Sequence, residues 1–174
     1  MKDVRPKGAT AVRRIVRTYG ESELLEAASA FHGHLGPYLV LGLKAGELAN
    51  KIMGKDPFKM RAEVFCPPKP PHSCILDGVQ FSTGCTMGKG NIAMHPSEGV
   101  KVIFAKKGRS LEISPKKVIV EQISSLKRGA IEDMSRKIYG DSVEEIFDYD
   151  LKPSETHKTN ETVHSAGRGP KVSR

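Results

Sequence analysis

Two histidines separated by a single glycine form the densest polar cluster of the sequence. His32 and His34 lie in the segment FHGHLGP, residues 31–37, between two stretches with helical apolar spacing. Because the intervening Gly33 leaves the backbone free to bend, both imidazole rings can turn toward one point, as metal coordination or proton transfer requires. The structural alternative is that His32 caps the end of a helix while His34 hydrogen-bonds nearby carbonyl groups.

A second cluster, residues 74–91, contains two of the three cysteines. We predict Cys74 in the first turn of a helix, where the helix dipole favours the thiolate and lowers the pKa of the thiol. Cys85 lies among glycines, whose backbone can approach a ligand closely. The alternative for each cysteine is a small buried apolar residue, and it is strongest for Cys66, which is in phase with the apolar positions of a predicted strand.

The glycine-rich segment GCTMGKG, residues 84–90, only partly matches a phosphate-binding loop. A P-loop has four residues between its glycines and a Ser or Thr after the lysine, whereas this segment has three and then Gly90. A nest of backbone N–H groups with Lys89 could still bind an anion, but the pattern favours a tight structural turn.

Helix-start and helix-stop signals predict the elements that flank the histidines. The first helix begins at residues 21–22 and ends at Gly33, and the second begins at Pro37 and ends at Gly54. The apolar residues of both stretches recur at helical spacing, which predicts one buried face on each helix.

Strands and further helices follow in mixed order. Residues 61–66 alternate as in a half-buried strand, and Ser73 can cap a short helix from Cys74 to residue 81. Residues 100–105 and 110–113 predict a hairpin. The remaining signals are a turn at residues 107–108, a helix start at residues 114–115, a helix stop at Gly140 and a capping box of Ser142 with Glu145.

The mixed order of elements predicts an α+β fold, with helices packed on a mainly antiparallel sheet in a single core domain. The predicted division is a basic N-terminal segment at residues 1–20, the core domain at residues 21–150 and a flexible basic tail at residues 151–174.

The net charge of +8 belongs to the two ends of the chain. Residues 1–20 contain six basic residues and one acidic residue, and residues 152–174 contain five and two, whereas residues 21–151 contain 17 of each sign. Clustered basic residues can neutralise nucleic-acid phosphates, so nucleic-acid binding through the ends is an alternative function. The absence of a recognised nucleic-acid motif and the low aromatic content of 6% argue against it.

Several classes of protein do not fit the composition. No apolar stretch approaches the ~20 residues of a membrane-spanning helix, and residues 1–20 lack the apolar block of a secretory signal. We therefore expect a cytoplasmic protein without a membrane partner. Three cysteines without a C-x-x-C pair argue against a disulfide framework, a zinc ribbon and a thioredoxin-type site.

The two chemical clusters together resemble the motifs of the FmdE family, which is named for a subunit of formylmethanofuran dehydrogenase. The matching residues are FHGHLGP at 31–37 and the pattern Cys74-x-x-Asp77-Gly-x-Gln80-x-x-Thr83-Gly-Cys85-Thr-x-Gly-Lys89-Gly-Asn91. The resemblance is specific over residues 21–107 and weaker to about residue 150. It implies an α+β core that usually forms a dimer, and association with the molybdenum or tungsten enzyme that fixes carbon dioxide onto methanofuran in methanogens and their relatives.

The resemblance also implies functional residues. By position, the metal ligands would be His32, His34, Cys74 and Cys85, and the residues that contact a cofactor or ligand would be Asp77, Gln80 and Lys89. Mixed imidazole and thiolate ligation suits zinc best, with nickel, iron or copper as competitors.

The sequence departs from the family pattern at two positions of the first motif. Gly36 stands where the family has a cysteine, and Tyr38 stands where it has a glycine. The chain also lacks the cysteine-rich zinc ribbon that some members carry at the C-terminus. The missing thiol argues against a thiol-dependent redox role and leaves a site of histidine and cysteine ligands for a metal ion.

The leading interpretation is a cytoplasmic accessory or subunit-type protein of one-carbon metabolism, of the kind used in methanogenesis, with a metal-binding cleft. The expected partners are a second copy of the chain, formylmethanofuran dehydrogenase subunits and a small-molecule ligand. The alternative is a stand-alone metal-dependent enzyme that acts on a small molecule, because the same residues permit it.

Overall fold

The computed structural model of the 174-residue chain describes residues 20–153. The predicted basic segment at residues 1–20, apart from Gly20, and the predicted tail from residue 154 onward lie outside the described residues. Within residues 20–153, none of the helices combines the length and the apolar character needed to cross a bilayer.

Six α-helices and five β-strands make up the described part of the chain. The helices are α1 (Glu21–His32), α2 (Pro37–Met53), α3 (Ile75–Thr83), α4 (Lys117–Ser124), α5 (Ile131–Gly140) and α6 (Val143–Ile146). The strands are β1 (Arg61–Cys66), β2 (Ile92–Pro96), β3 (Lys101–Lys106), β4 (Arg109–Pro115) and β5 (Phe147–Pro153). Short 3₁₀ helices occur at His72–Cys74, Met87–Lys89 and Arg128–Ala130. This content confirms the α+β prediction.

The strands form one mostly antiparallel sheet, in the order β2-β1-β3-β4-β5. Only the pairing of β1 with β2 is parallel among the described strands. The predicted hairpin is confirmed, with β3 and β4 joined by Lys107 and Gly108 at φ values of 50° and 71°. Positive φ at both central residues is typical of a two-residue turn whose twist matches that of the strands.

The helix limits around the histidines follow the predicted end signals. Gly33 ends α1 in the left-handed conformation with φ of 92°, and its N–H donates to the carbonyl of Ser29. Pro37 is the first residue of α2, where its missing N–H costs no hydrogen bond. The two histidines therefore lie at the end of α1 and in the turn that leads into α2.

Four local predictions were wrong or incomplete. Residues 114–115 are still part of β4, so α4 begins at Lys117. No side-chain cap precedes α3, so Ser73 does not have the predicted role. Strand β2 was not predicted, and β5 continues to Pro153, so that residues 151–153 belong to the sheet rather than to the tail.

Helix α2 lies at the centre of the fold. Apolar residues occur around its whole circumference, which is typical of a fully buried helix. The core also contains the inward-facing residues of β1, namely Ala62, Val64 and Cys66, all at 0% exposure. The alternative interpretation of Cys66 as a small buried apolar residue is thereby confirmed.

Helices α2 and α3 are in contact through glycines. A Cβ atom added to Gly42 would lie 2.2 Å from the carbonyl oxygen of Ile75, and one added to Gly78 would lie 2.1 Å from the carbonyl oxygen of Leu39. Neither distance is compatible with a side chain, so these glycines permit the backbones of the two helices to touch.

A buried lysine fastens the end of α2 to the sheet. Lys106, only 8% exposed, donates from its ammonium group to the carbonyl oxygens of Met53, at 3.0 Å, and of Gly54. These carbonyls lie at the C-terminus of α2, where the helix itself offers no donors.

Replacing Lys106 by methionine should lower the free energy of unfolding by about 1–3 kcal/mol, because it leaves two carbonyl groups at a buried helix end without their donor. Urea unfolding of Lys106→Met measures the change. The control is Lys55→Met, which alters an exposed lysine near the same helix end and should leave stability within about 0.5 kcal/mol of the wild type. Equal stability of the two variants would contradict the role given to Lys106.

Candidate functional site

His32 is held by a carboxylate from another helix. Its Nδ1 donates a hydrogen bond of 2.7 Å to Oδ2 of Asp77, in the first turn of α3. A carboxylate only accepts, so the bond places a proton on Nδ1 and directs the lone pair of the neutral ring to Nε2. The His32 side chain is only 9% exposed, and its Nε2 is buried without a hydrogen-bond partner among residues 20–153. The site therefore contains a buried, oriented nitrogen with free coordination capacity.

His34 lies beside His32 but is open to solvent. The centroids of the two imidazole rings are 4.6 Å apart. The His34 ring also faces the backbone of Gly36, since a Cβ atom added there would lie 3.2 Å from His34 Nε2. Gly36 is buried and extended, with φ of −133°, so the chain has its smallest residue where His34 needs space.

Cys74 stands at the start of α3, half-buried, at the end of a short 3₁₀ helix. The predicted lowering of its pKa was wrong. Burial raises the pKa of the Cys74 thiol, and the negative charge of Asp77 raises it further. The carboxylate one turn along the helix thus outweighs the helix dipole, and Cys74 is a neutral thiol in this environment.

Asp77 and Gln80, the predicted ligand contacts, lie in a hydrogen-bonded chain that ends at His32. Gln80 donates from Nε2 to Oδ1 of Asp77 at 3.5 Å, and its Oε1 accepts from the backbone N–H of Met87 at 3.0 Å. The structure therefore places both residues behind His32, where they orient its ring.

Cys85 and Lys89 are not brought together with the histidines. Cys85 is fully buried and follows the C-terminal end of α3, while Cys74 and Asp77 occupy its N-terminal end. A nine-residue helix is about 13 Å long. The Cys85 thiol donates to the carbonyl oxygen of Met60 at 3.4 Å, and the exposed Lys89 ammonium lies 5.9 Å from the centroid of the Phe58 ring.

The described residues contain no preformed metal centre. Between residues 20 and 153, no three His, Cys, Asp or Glu side chains have an arrangement that could hold a metal ion. His32, His34 and Cys74 nevertheless surround one cleft, since His34 and Cys74 line the same cavity and His32 packs against His34.

Two cavities meet at His34. The inner cavity has a volume of about 250 Å³, and its walls include His34, Tyr38, Cys74, Ile123, Leu126 and Ile131. The outer cavity is larger, about 710 Å³, and its walls include Glu26, His34, Arg128, Ile131, Glu132 and Arg136. His34 and Ile131 belong to both walls, so these two residues separate the cavities.

Sequence reasoning missed two polar residues beside the inner cavity. Tyr38 Oη and His72 Nδ1 are buried without hydrogen-bond partners in residues 20–153, and their ring centroids are 4.7 Å apart. Burial raises the pKa of Tyr38 and lowers the pKa of His72, which Lys69 lowers further, so both side chains are neutral near pH 7. The departure from the family pattern at Tyr38 was a usable signal for the first, and no sequence pattern marked His72.

Two known proteins are similar to this chain. One is a tungsten formylmethanofuran dehydrogenase FmdE-like protein from Syntrophus aciditrophicus, whose structure matches 80% of this chain and 75% of its own with a TM-score of 0.56 and 18% sequence identity. The other is a probable S-adenosyl-L-methionine-binding protein from Archaeoglobus fulgidus, 33% identical over 78 residues. That alignment covers 41% of this chain, which spans only about a fifth of the relative's length, 20%.

The family match has greater coverage. The model of the FmdE family, described as molybdenum formylmethanofuran dehydrogenase operon, matches residues 31–149. This range contains both chemical clusters and most of the described fold, in agreement with the structural similarity. The resemblance inferred from the two motifs is confirmed, and the chain belongs to the FmdE family.

Proposed function

We propose that this protein is an accessory or subunit-type partner of formylmethanofuran dehydrogenase, and that its cleft at His32, His34 and Cys74 binds a divalent metal ion, for which zinc is the best candidate. Membership of a family named for the operon of that enzyme supports the first part. The second part concerns the residues of the cleft.

The observation that carries the metal proposal is the state of His32. Its Nε2 is buried and unpartnered among the described residues, while its Nδ1 donates to the carboxylate of Asp77. A carboxylate behind a histidine is the usual support of a metal-binding imidazole, because it fixes the tautomer and raises the basicity of the other nitrogen. An unsatisfied buried nitrogen is costly, and a metal ion would remove that cost.

The other two donors need only side-chain movement to join His32. His34 is exposed and follows Gly33, so its ring can turn toward the cleft. Cys74 is at a helix start on the wall that it shares with His34. Three protein donors would leave one position of a tetrahedral zinc ion open, and zinc held in that way polarises a carbonyl group or lowers the pKa of a bound water.

Zinc titration of the metal-free protein against a competing chromophoric chelator tests the proposal. The wild type should bind one equivalent, and His32→Ala, His34→Ala and Cys74→Ala should each weaken binding by at least about 100-fold, the upper end of what loss of a supporting residue costs. The controls are Cys85→Ala, which removes the predicted fourth ligand from the far end of α3, and His95→Ala, which removes a histidine of the sheet.

The outcomes separate the candidate ligands. No zinc binding by the wild type, or undiminished binding by His32→Ala, would contradict the proposed site. A loss with Cys85→Ala equal to that with Cys74→Ala would restore Cys85 as a ligand and would mean that the C-terminal end of α3 moves toward the histidines.

The partner proposal has its own test. The affinity-tagged full chain, isolated from cells that also produce formylmethanofuran dehydrogenase, should retain subunits of that enzyme, whereas an unrelated tagged protein should not. Light scattering of the purified chain tests the homodimer that the family resemblance implies. Failure to retain any subunit at low salt would contradict the accessory role while leaving metal binding untouched.

A further inference from the structure

The inner cavity is formed where distant parts of the chain converge. Its walls come from the turn between α1 and α2, the first residues of α2, the proline-rich connector after β1, the end of α4 and the start of α5. The residues include His34 and Cys74 of the candidate metal site, so any molecule in this cavity touches the proposed ligands directly.

The wall of the inner cavity carries no charged side chain. It contains no Asp, Glu, Lys or Arg, and aliphatic side chains of α4, α5 and the segment between them make up one side, namely Ile123, Leu126 and Ile131. An ion placed there would lose its hydration without gaining a counter-charge, whereas an apolar group would gain contacts with these residues. The composition of the wall thus selects uncharged ligands.

The volume sets the size of the ligand. An apolar cavity of roughly 150 Å³ is large enough to bind benzene. The inner cavity, at about 250 Å³, therefore has space for a ring with a small substituent.

The outer cavity differs in character from the inner one. Its wall carries two arginines and two glutamates, of which Arg136 and Glu132 form an ion pair of 2.8 Å. Charged side chains are thus confined to the outer side of His34, and a ligand that enters by this route exchanges a polar wall for an uncharged one as it passes that residue.

We propose that the inner cavity binds a small, uncharged and predominantly apolar molecule, of the size of a substituted benzene ring, against His34 and Cys74. This assigns a substrate class to the cleft, and it does not rest on the proposed metal, because the cavity exists between protein side chains alone. Ligand binding and metal binding can therefore fail independently.

Ligand-observed NMR of the metal-free, full-length protein with toluene, benzyl alcohol and benzoate tests the assignment. Toluene and benzyl alcohol should bind, and benzoate should bind at least tenfold more weakly. Leu126→Trp fills the cavity and should weaken toluene binding at least tenfold. The matched control, Gln122→Trp, adds the same side chain at an exposed position of α4 and should leave toluene binding unchanged.

A second variant keeps the test decisive if Leu126→Trp does not fold. Leu126→Ala enlarges the cavity and should shift the preference from toluene toward the longer butylbenzene by at least threefold. Absence of toluene binding to the wild type, benzoate binding as tight as toluene binding, or equal effects of the tryptophan at positions 122 and 126 would each overturn the proposal. Repeating the titration with zinc-loaded protein shows whether the metal and the apolar ligand share the cleft.

Discussion

Replacing Gly78 by alanine should destabilise the protein by about 3 kcal/mol or more, at the upper end of the cost of overpacking a core. The added methyl group would lie 2.1 Å from the carbonyl oxygen of Leu39 and 2.7 Å from the backbone nitrogen of Leu43. Both neighbours are backbone atoms of the buried helix α2, so no side chain can rotate to make space. The clash can be relieved only by moving α3 away from α2, which also displaces Asp77 from His32.

Urea unfolding monitored by circular dichroism measures the effect, with Gly140→Ala as the control. Gly140 is the last residue of α5, and a Cβ atom there would meet nothing within 4 Å. Alanine at this position should leave stability unchanged or raise it by up to about 1 kcal/mol, because alanine has the higher helix propensity. If Gly78→Ala unfolds at the same urea concentration as the wild type, the two helices do not make the backbone contact described above.

Replacing Asp77 by asparagine should weaken zinc binding by about 10- to 100-fold although Asp77 is not itself a proposed ligand, because loss of a supporting residue behind a metal-binding histidine has an effect of this size. Asparagine has nearly the same shape but no charge, and its amide group can turn its NH₂ toward Nδ1 of His32. The proton of the ring would then shift to Nε2, where it would occupy the nitrogen that the metal requires.

Two measurements distinguish this positioning role from a general loss of structure. The zinc titration described above gives the affinity, and ¹⁵N NMR of the His32 ring reports whether the proton is on Nδ1 or Nε2. The control is Glu63→Gln, which weakens a similar carboxylate–histidine pair, Glu63 with His95, on the sheet. Unchanged affinity together with an unchanged tautomer in Asp77→Asn would show that the carboxylate does not prepare His32.

The parts of the fold that could be predicted are those with local causes. Gly33, Pro37 and Gly54 limit the first two helices because their backbone preferences act within a few residues. The β3–β4 hairpin follows equally local rules, since a two-residue turn at residues 107–108 fixes the pairing of both strands. Such signals survive folding because they do not depend on distant partners.

Strands β2 and β5 could not be found in this way. β2 has no clean alternation of buried and exposed residues, and its partner β1 is paired in parallel, with α3 between them in the chain. β5 exposes every residue after Phe147 and lies at the edge of the sheet, so it has little apolar pattern to detect. Both strands are defined by pairing rather than by their own composition.

The same distinction applies to the site. The two histidines and Cys74 could be selected as candidates by type and spacing, whereas the bond from His32 to Asp77 joins residues 45 positions apart and arises only when α1 packs near α3. Motif order also contains no information on which end of a helix a residue occupies. For this reason Cys85 was grouped with residues that lie at the other end of α3.

The glycine contact between α2 and α3 also bears on how the family can diverge. Where backbone touches backbone at Gly42 and Gly78, the spacing of the two helices is independent of the volume of neighbouring side chains. His32 precedes one of these helices, and Cys74 and Asp77 belong to the start of the other. Mutations elsewhere in the apolar core can therefore accumulate by conservative exchange, each at small cost, without altering the distances within the cleft. The contact acts as an evolutionary buffer that separates drift of the core from selection on the site.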